Sequence, residues 1–187
     1  MEAELLAAAR TGDQRAWDAI VDRYTGLLWS VARGFRLDAA DAADVVQLTW
    51  LRLVEHLDDV VDPDRLGAWL ATTVRRECLQ LLRRRRERPA AVDDWLASVP
   101  DPGPPVDARM LRVERDAGLW RALHTLSGRC QQLLRVLMAV PPPSYADVSA
   151  ALDMPIGGIG PARQRCLAAL RRALDETSLS PGDRRDG

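Results

Sequence analysis

Apolar residues recur along most of this chain at steps of three and four and nowhere in sustained alternation, so the pattern predicts helices and no sheet. Glu2 to Arg10 reads as a short helix with Leu5, Leu6 and Ala9 apolar, closed by Thr11, Gly12 and Asp13. Asp13 caps the next, from Gln14 to about Arg33, where Trp17, Ile20, Val21, Tyr24, Leu27, Leu28 and Val31 form one broad stripe. Gly34 stands where a C-cap glycine would, and Asp38 and Asp41 are N-cap candidates for a third helix. That helix carries Val46, Trp50, Leu53 and Leu57 on one face and should end near Leu57, because Asp58, Asp59, Asp62, Pro63 and Asp64 are turn chemistry. A fourth helix follows, with Leu66, Leu70, Val74, Cys78 and Leu81 on an apolar side and Arg76, Gln80, Arg83 and Arg84 on another. Four helices with short connections make a compact bundle over residues 1–88.

The pattern stops at Pro89. Residues 89–107 hold five prolines and four aspartates with no base, a composition expected of an extended acidic linker, with Trp95 and Leu96 its only bulky apolar pair. Helical spacing resumes over residues 108–176. Val113, Leu119, Trp120 and Leu123 mark one helix; Ser127 caps another bearing Leu133, Leu134, Leu137 and Met138; Pro141, Pro142 and Pro143 end it. A short helix from Tyr145 to Leu152, a turn at Asp153, Met154 and Pro155, and a longer basic helix then make a helix-turn-helix. Pro161 lacks an amide hydrogen and belongs in a first turn, so the last helix is expected to start near Gly157 to Gly160, placing Arg163, Gln164 and Arg165 in its opening turns. The tail from 177 to 187 is expected to be disordered. The fold class is thus all-α, with two small helical domains joined by a linker.

Composition fits a folded protein, 47% hydrophobic and 28% charged, but the charge is unevenly placed. All 26 basic residues are arginine, and the net charge of −1 hides an asymmetry. Eight acids lie between Asp38 and Asp64 against Arg52 alone, and five arginines then crowd into residues 83–88. Such a run is either a solvated helix end, which a helix C-terminus favours, or a surface for a polyanion. An acidic and a basic surface in one small domain suit two kinds of macromolecular partner. Cys78, Cys130 and Cys166 lie far apart in apolar helical patterns and are expected to be reduced, buried thiols. The N-terminus starts acidic and lacks a long apolar run, so no signal peptide, membrane span or membrane partner is expected.

Enzyme chemistry finds little support. There is no paired histidine motif; Gly157, Gly158 and Gly160 follow a turn rather than a strand; and the carboxylates of 58–64 lack the calcium-loop pattern. No catalytic residue, metal or cofactor is expected. Arginine pairs with guanine and glutamine with adenine, so Arg163, Gln164 and Arg165 make the last helix a candidate reader of the major groove; the bland counterpart is a helical hairpin with solvated arginines.

The order of these parts resembles the bacterial RNA polymerase sigma factors of the extracytoplasmic-function type. DAADVVQLTW at 41–50 is similar to the family's D-A-E-D-L-V-Q-E-T-F. Trp69 and Leu70 through Val74 and Arg75 are similar to its W-L-x-x-I-A-R-N, and the run from Arg165 to Leu170 is similar to its R-A-x-x-x-L. Leu48 departs from the usual glutamate, Arg76 from asparagine, Gln80 from a frequent aspartate, and Gly160 and Pro161 from a polar pair. The resemblance implies a promoter-melting region 2 at 1–88, a linker at 89–107 running through the polymerase cleft, and a minus-35-reading region 4 at 108–176. It implies that Asp44, Gln47 and Thr49 dock on the beta-prime clamp helices of core RNA polymerase, whose beta subunit is a further partner. Arg75, Arg76, Gln80, Arg83 and Arg84 would face the minus-ten element. The loop with Asp58, Asp59, Asp62 and Arg65 would receive a base flipped from melted DNA, since a stacked base cannot be read in single-stranded form. Arg163, Gln164, Arg165 and Arg171 would contact duplex DNA at the minus-35 element. An anti-sigma factor is a further candidate partner, and the setting is cytoplasmic. The alternative is a stand-alone helix-turn-helix regulator with an N-terminal dimerisation or sensor bundle.

Overall fold

The computed structural model describes residues 2–87 and 110–178. The expected linker, Trp95 and Leu96, and the tail beyond Ser178 lie outside them. Among the described residues there are eight α-helices and no strand: α1 (Glu2–Arg10), α2 (Gln14–Gly34), α3 (Ala39–Glu55), α4 (Leu66–Glu87), α5 (Met110–Thr125), α6 (Gly128–Leu137), α7 (Tyr145–Leu152) and α8 (Ile156–Ser178). Two 3-10 turns, Leu57–Asp59 and Pro63–Arg65, bridge α3 and α4.

Capping chemistry sets the starts. Asp13 accepts from the amides of Arg15 and Ala16, Asp38 from that of Asp41, and Ser127 from that of Cys130, satisfying amides that have no partner inside the helix. At α7, Ser144 and Asp147 form a reciprocal capping box. Gly34 is the last residue of α2 rather than a left-handed cap; the positive φ falls on Arg36, at 59°. Gly34 instead permits a close approach, because a Cβ there would meet Gln132 Cγ of α6 at 3.4 Å. α3 stops at Glu55, slightly before Leu57, and the 3-10 turn takes over.

The two helical halves pack face to face. α7 lies on α4, and α6 on α2. A single buried cluster runs from Leu6, Leu28 and Leu53 through Leu70 and Val74 to Val148, Ile159 and Cys166. Two separate small cores were the expectation; the observed core is continuous, because the apolar sides of α2 and α4 are broad enough to serve both halves.

The cysteine expectation needs correction. Cys130 of α6 and Cys166 of α8 form a disulfide, their Cα atoms 5.3 Å apart, and Cys78 alone is a free buried thiol. The two partners are 36 residues apart, and α7 with its turns folds the chain back so that α6 and α8 touch. Burial pushes the Cys78 thiol up to about 12, which removes its thiolate at neutral pH. A thiol titration with Ellman's reagent at pH 8 should therefore find no reactive thiol in the folded protein, and the one free thiol only after denaturation without reductant.

α8 begins at Ile156, a little before the expected start, so Pro161 sits inside the helix in its second turn. Proline there has no N–H for the carbonyl of residue 157 and its ring crowds that turn. Gly157 and Gly160 have open space around their Cα atoms, which lets the backbone tilt locally. Arg163, Gln164 and Arg165 consequently fall in the third turn of α8 and not in its opening turns.

Candidate functional site

α3 offers one continuous polar-apolar face to solvent. Asp44 and Gln47 are exposed on it, and so are Leu48 at 40%, Leu51 at 55% and Val54 at 58%. These positions follow the three-and-four rhythm of one helix side. Exposed apolar side chains rimmed by polar ones mark protein-protein contact surfaces. Thr49 lies on the other side: it is fully buried, and its hydroxyl donates to the Val45 carbonyl at 2.8 Å. It shapes the helix from within and has no exposed atom to offer a partner.

The basic side of α4 is arranged along its length. Arg76, Arg83 and Arg84 are exposed, while Arg75 and Gln80 are half-buried. Arg75 Nη2 bonds Asp153 Oδ2, in the turn between α7 and α8, at 2.9 Å. Arg85, two residues beyond Arg83, turns back to α3 and pairs with Asp38 at 3.6 Å and with Asp41. Burial raises the Asp41 pKa, and Arg85 opposes that shift.

The loop between α3 and α4 is pinned from α1. Arg10 donates to the Leu57 carbonyl at 3.0 Å and to that of Val60 at 2.6 Å, while Val60 is buried beneath. Its carboxylates stay outside. Asp58 is almost fully exposed, Asp59 pairs with His56 at 3.0 Å, and Asp62 caps Asp64 and pairs with Arg65 at 3.1 Å. The result is an acid-rimmed loop on a fixed base.

At the far end, Arg163, Gln164, Arg165 and Arg171 are all exposed on α8. Arg163 also borders a cleft of about 610 Å³ between α2, α5, α6 and α8, with Trp29, Trp120, Leu134 and Leu167 among its walls. Arg135 crosses the Trp120 ring at 4.9 Å in that cleft. Burial lowers its pKa, and Arg33 and Arg36 add to the shift.

Comparison with known proteins fits this layout. Residues 20–88 match sigma-70 region 2, which takes in most of α2, α3 and α4. The chain is 32% identical over 177 residues to the RNA polymerase sigma factor CnrH of Cupriavidus metallidurans, covering 89% of this chain and 92% of that one. This chain belongs to the RNA polymerase sigma factors of the extracytoplasmic-function type. It is also 29% identical over 173 residues to the ECF RNA polymerase sigma factor SigM of Mycobacterium tuberculosis, covering 92% of this chain and 84% of that relative. Among solved structures, CnrH in complex with the cytosolic domain of CnrY superposes with a TM-score of 0.59 at 26% identity, over 92% of this chain and 96% of that one. The sigma factor RpoE of Bartonella quintana, solved with the anti-sigma factor NepR, shares the fold at a TM-score of 0.56 and 24% identity, over 84% and 97%.

As a sigma factor the chain serves promoter-specific initiation by RNA polymerase. With region 2 in its first half, the stand-alone regulator loses its basis, since those helices are not an appended sensor bundle. The apolar residues Leu48, Leu51 and Val54 escape a sequence reading that follows only the buried stripe. The signal was present in Leu48 itself, an apolar residue at a position between two polar ones. Arg10 and Asp153 also escape it, because each acts on a residue far away in the chain.

Proposed function

We propose that the exposed stripe Asp44, Gln47, Leu48, Leu51 and Val54 is the surface by which this sigma factor docks on the beta-prime clamp helices of core RNA polymerase. The observation that carries this is an apolar ridge left in water on a helix whose opposite face is buried, with a carboxylate and an amide beside it. Leu48 in place of the family's usual glutamate makes the contact more apolar and less dependent on charge. The basic residues of α4 then face the minus-ten element, the loop from Asp58 to Arg65 takes the flipped base, and Arg163, Gln164, Arg165 and Arg171 meet the minus-35 duplex. Residues 1–88 serve as region 2 and 108–176 as region 4. The chain contributes positioning and strand opening and leaves catalysis to the polymerase. It acts in the cytoplasm, where RNA polymerase works; among the described residues no helix is long and apolar enough to cross a membrane. An anti-sigma partner belongs to this reading, as CnrH was solved with CnrY.

Co-sedimentation with core RNA polymerase at moderate salt tests the docking surface. The full chain should bind stoichiometrically, and Leu51→Asp with Val54→Asp should weaken binding at least tenfold while the circular dichroism spectrum stays helical. Undiminished binding by that variant would move the docking surface off α3. Thr49→Val, by contrast, should leave polymerase affinity within about twofold, because its hydroxyl serves only the helix.

A further inference from the structure

We infer that Arg10 is a positioning residue for promoter opening: from the end of α1 it clamps the backbone of the 57–65 loop in the shape that receives an unstacked base, and this rests on that loop being the base receiver proposed above. α1 is then a brace for the loop, and Arg10 is its working end.

α1 is anchored along its length. Leu6 is fully buried in the core. At the start of the helix, Glu2 accepts from the Tyr24 hydroxyl at 2.7 Å and pairs with Arg23 at 2.9 Å, both on α2. At its end the chain reverses at Gly12, whose φ of 87° suits glycine, and Asp13 opens α2. Arg10, the last residue of α1, is thus carried at the tip of a helix fixed to α2, and α1 lies against both 3-10 turns of the loop.

The guanidinium spans irregular backbone. Nε and Nη2 both donate to the Leu57 carbonyl, at 3.2 and 3.0 Å, and Nη2 also donates to that of Val60 at 2.6 Å. One planar fork therefore holds two carbonyls three residues apart, a geometry that the compact ammonium of lysine does not reproduce. The nearby Asp58 carboxylate, 3.8 Å from Nε and almost fully exposed, adds little, so the clamp acts through the main chain. It leaves the side chains free. Asp58, Asp59 and Asp62 are exposed, and Val61, at 93%, is an apolar side chain held out in water among them. A base drawn out of the stack offers a flat apolar face and an amino or carbonyl edge; Val61 suits the face, and carboxylates accept from an amino group. Acids do not attract a polyanion, so the loop must gain its affinity from order rather than from charge. A backbone already held avoids the cost of ordering when the base arrives.

Arg10→Ala and Arg10→Lys in the full chain separate a clamp from a plain positive charge. The amides of Asp59 and Arg65 bond inside the loop to the carbonyls of His56 and Asp62. Hydrogen exchange should show both amides exchanging at least tenfold faster in either variant, with the amides of α3 and α4 unchanged. Holoenzyme assembled from each protein and core polymerase is then offered a pool of 20-nucleotide single strands of random sequence, and the bound strands are sequenced. The unsubstituted protein should enrich one base at the position taken by the loop. In both variants that enrichment should fall at least fivefold, while affinity for the whole pool and for core polymerase stays within about threefold. Loop exchange that does not change in either variant would overturn the clamp. Enrichment lost in Arg10→Ala but kept in Arg10→Lys would also sink it, making Arg10 a charge contact for phosphate. Faster loop exchange with enrichment kept in both variants would leave Arg10 holding the loop and remove the loop as receiver of the base.

Discussion

Reduction of the Cys130–Cys166 bond is expected to lower the unfolding free energy by about 3 to 4 kcal/mol, the loop-closure value for partners 36 residues apart. The loop so closed contains α7, the turn after it and the first ten residues of α8, so the unfolded chain gains most of its extra freedom there. The effect should not stay local. α7 is packed on α4 and α6 on α2 within one buried cluster, so loosening α6 against α8 removes a wall from the first half too. Thermal denaturation of the protein with and without a reductant that is active at neutral pH should show a fall of about 10 °C in midpoint. The variant with Cys130→Ser and Cys166→Ser should match the reduced protein and be insensitive to reductant. A midpoint unmoved by either treatment would mean that α6 and α8 are held by packing alone. A half-buried bond of this kind changes the expectation of three reduced thiols in a physical way. In the oxidised form α8 is fixed to α6 covalently, while Cys78, deep in the first half with its pKa raised, stays out of exchange chemistry.

The features legible in the sequence are those that depend on neighbours in the chain. Asp13, Asp38 and Ser127 cap the helices that the three-and-four rhythm predicts, because capping reaches only two or three residues. Ser144 and Asp147 carried the same signal at capping-box spacing. The basic side of α4 and the exposed arginines of α8 were equally open to view. The Arg75–Asp153 pair was not, since 78 residues separate its members and no local pattern reports a contact between two halves that are each amphipathic. The disulfide was hidden for the same reason. Thr49 shows a subtler limit: the motif that contains it is legible, but which of its residues points inward depends on the phase of α3 against the core, and that phase puts Asp44 and Gln47 out and Thr49 in. Pro161 misled by its general rule. The glycines around it accommodate a proline in the second turn, which moved the base-reading candidates one turn further along α8.

That shift governs what replacing Arg163 and Arg165 should do. Successive residues on a helix are about 100° apart, so the two arginines diverge by about 200° with Gln164 between them. They cannot both face one row of base edges. Arg163 borders the cleft between α2, α5, α6 and α8, which sets one side of the helix toward the protein's own body. If α8 enters the groove with Gln164 turned to the bases, as proposed, the arginines would reach toward the phosphates on either wall, contacts that position without specifying. The double variant Arg163→Ala with Arg165→Ala should therefore lose about 3 kcal/mol of promoter binding, roughly a hundredfold, as two charge-assisted hydrogen bonds would. The loss should be nearly uniform across promoter sequences, and the slope of log affinity against log salt should fall by about one for each arginine removed. Gln164→Ala should behave differently, costing about 1 to 3 kcal/mol on the preferred sequence alone and relaxing choice at one base pair. Fluorescence anisotropy of the polymerase-bound protein on a small promoter library, at several salt concentrations, separates the two patterns. If the arginine variant relaxed specificity while Gln164→Ala shifted only the salt slope, α8 would enter the groove turned by about 100° from the orientation argued here, with an arginine at the base edges.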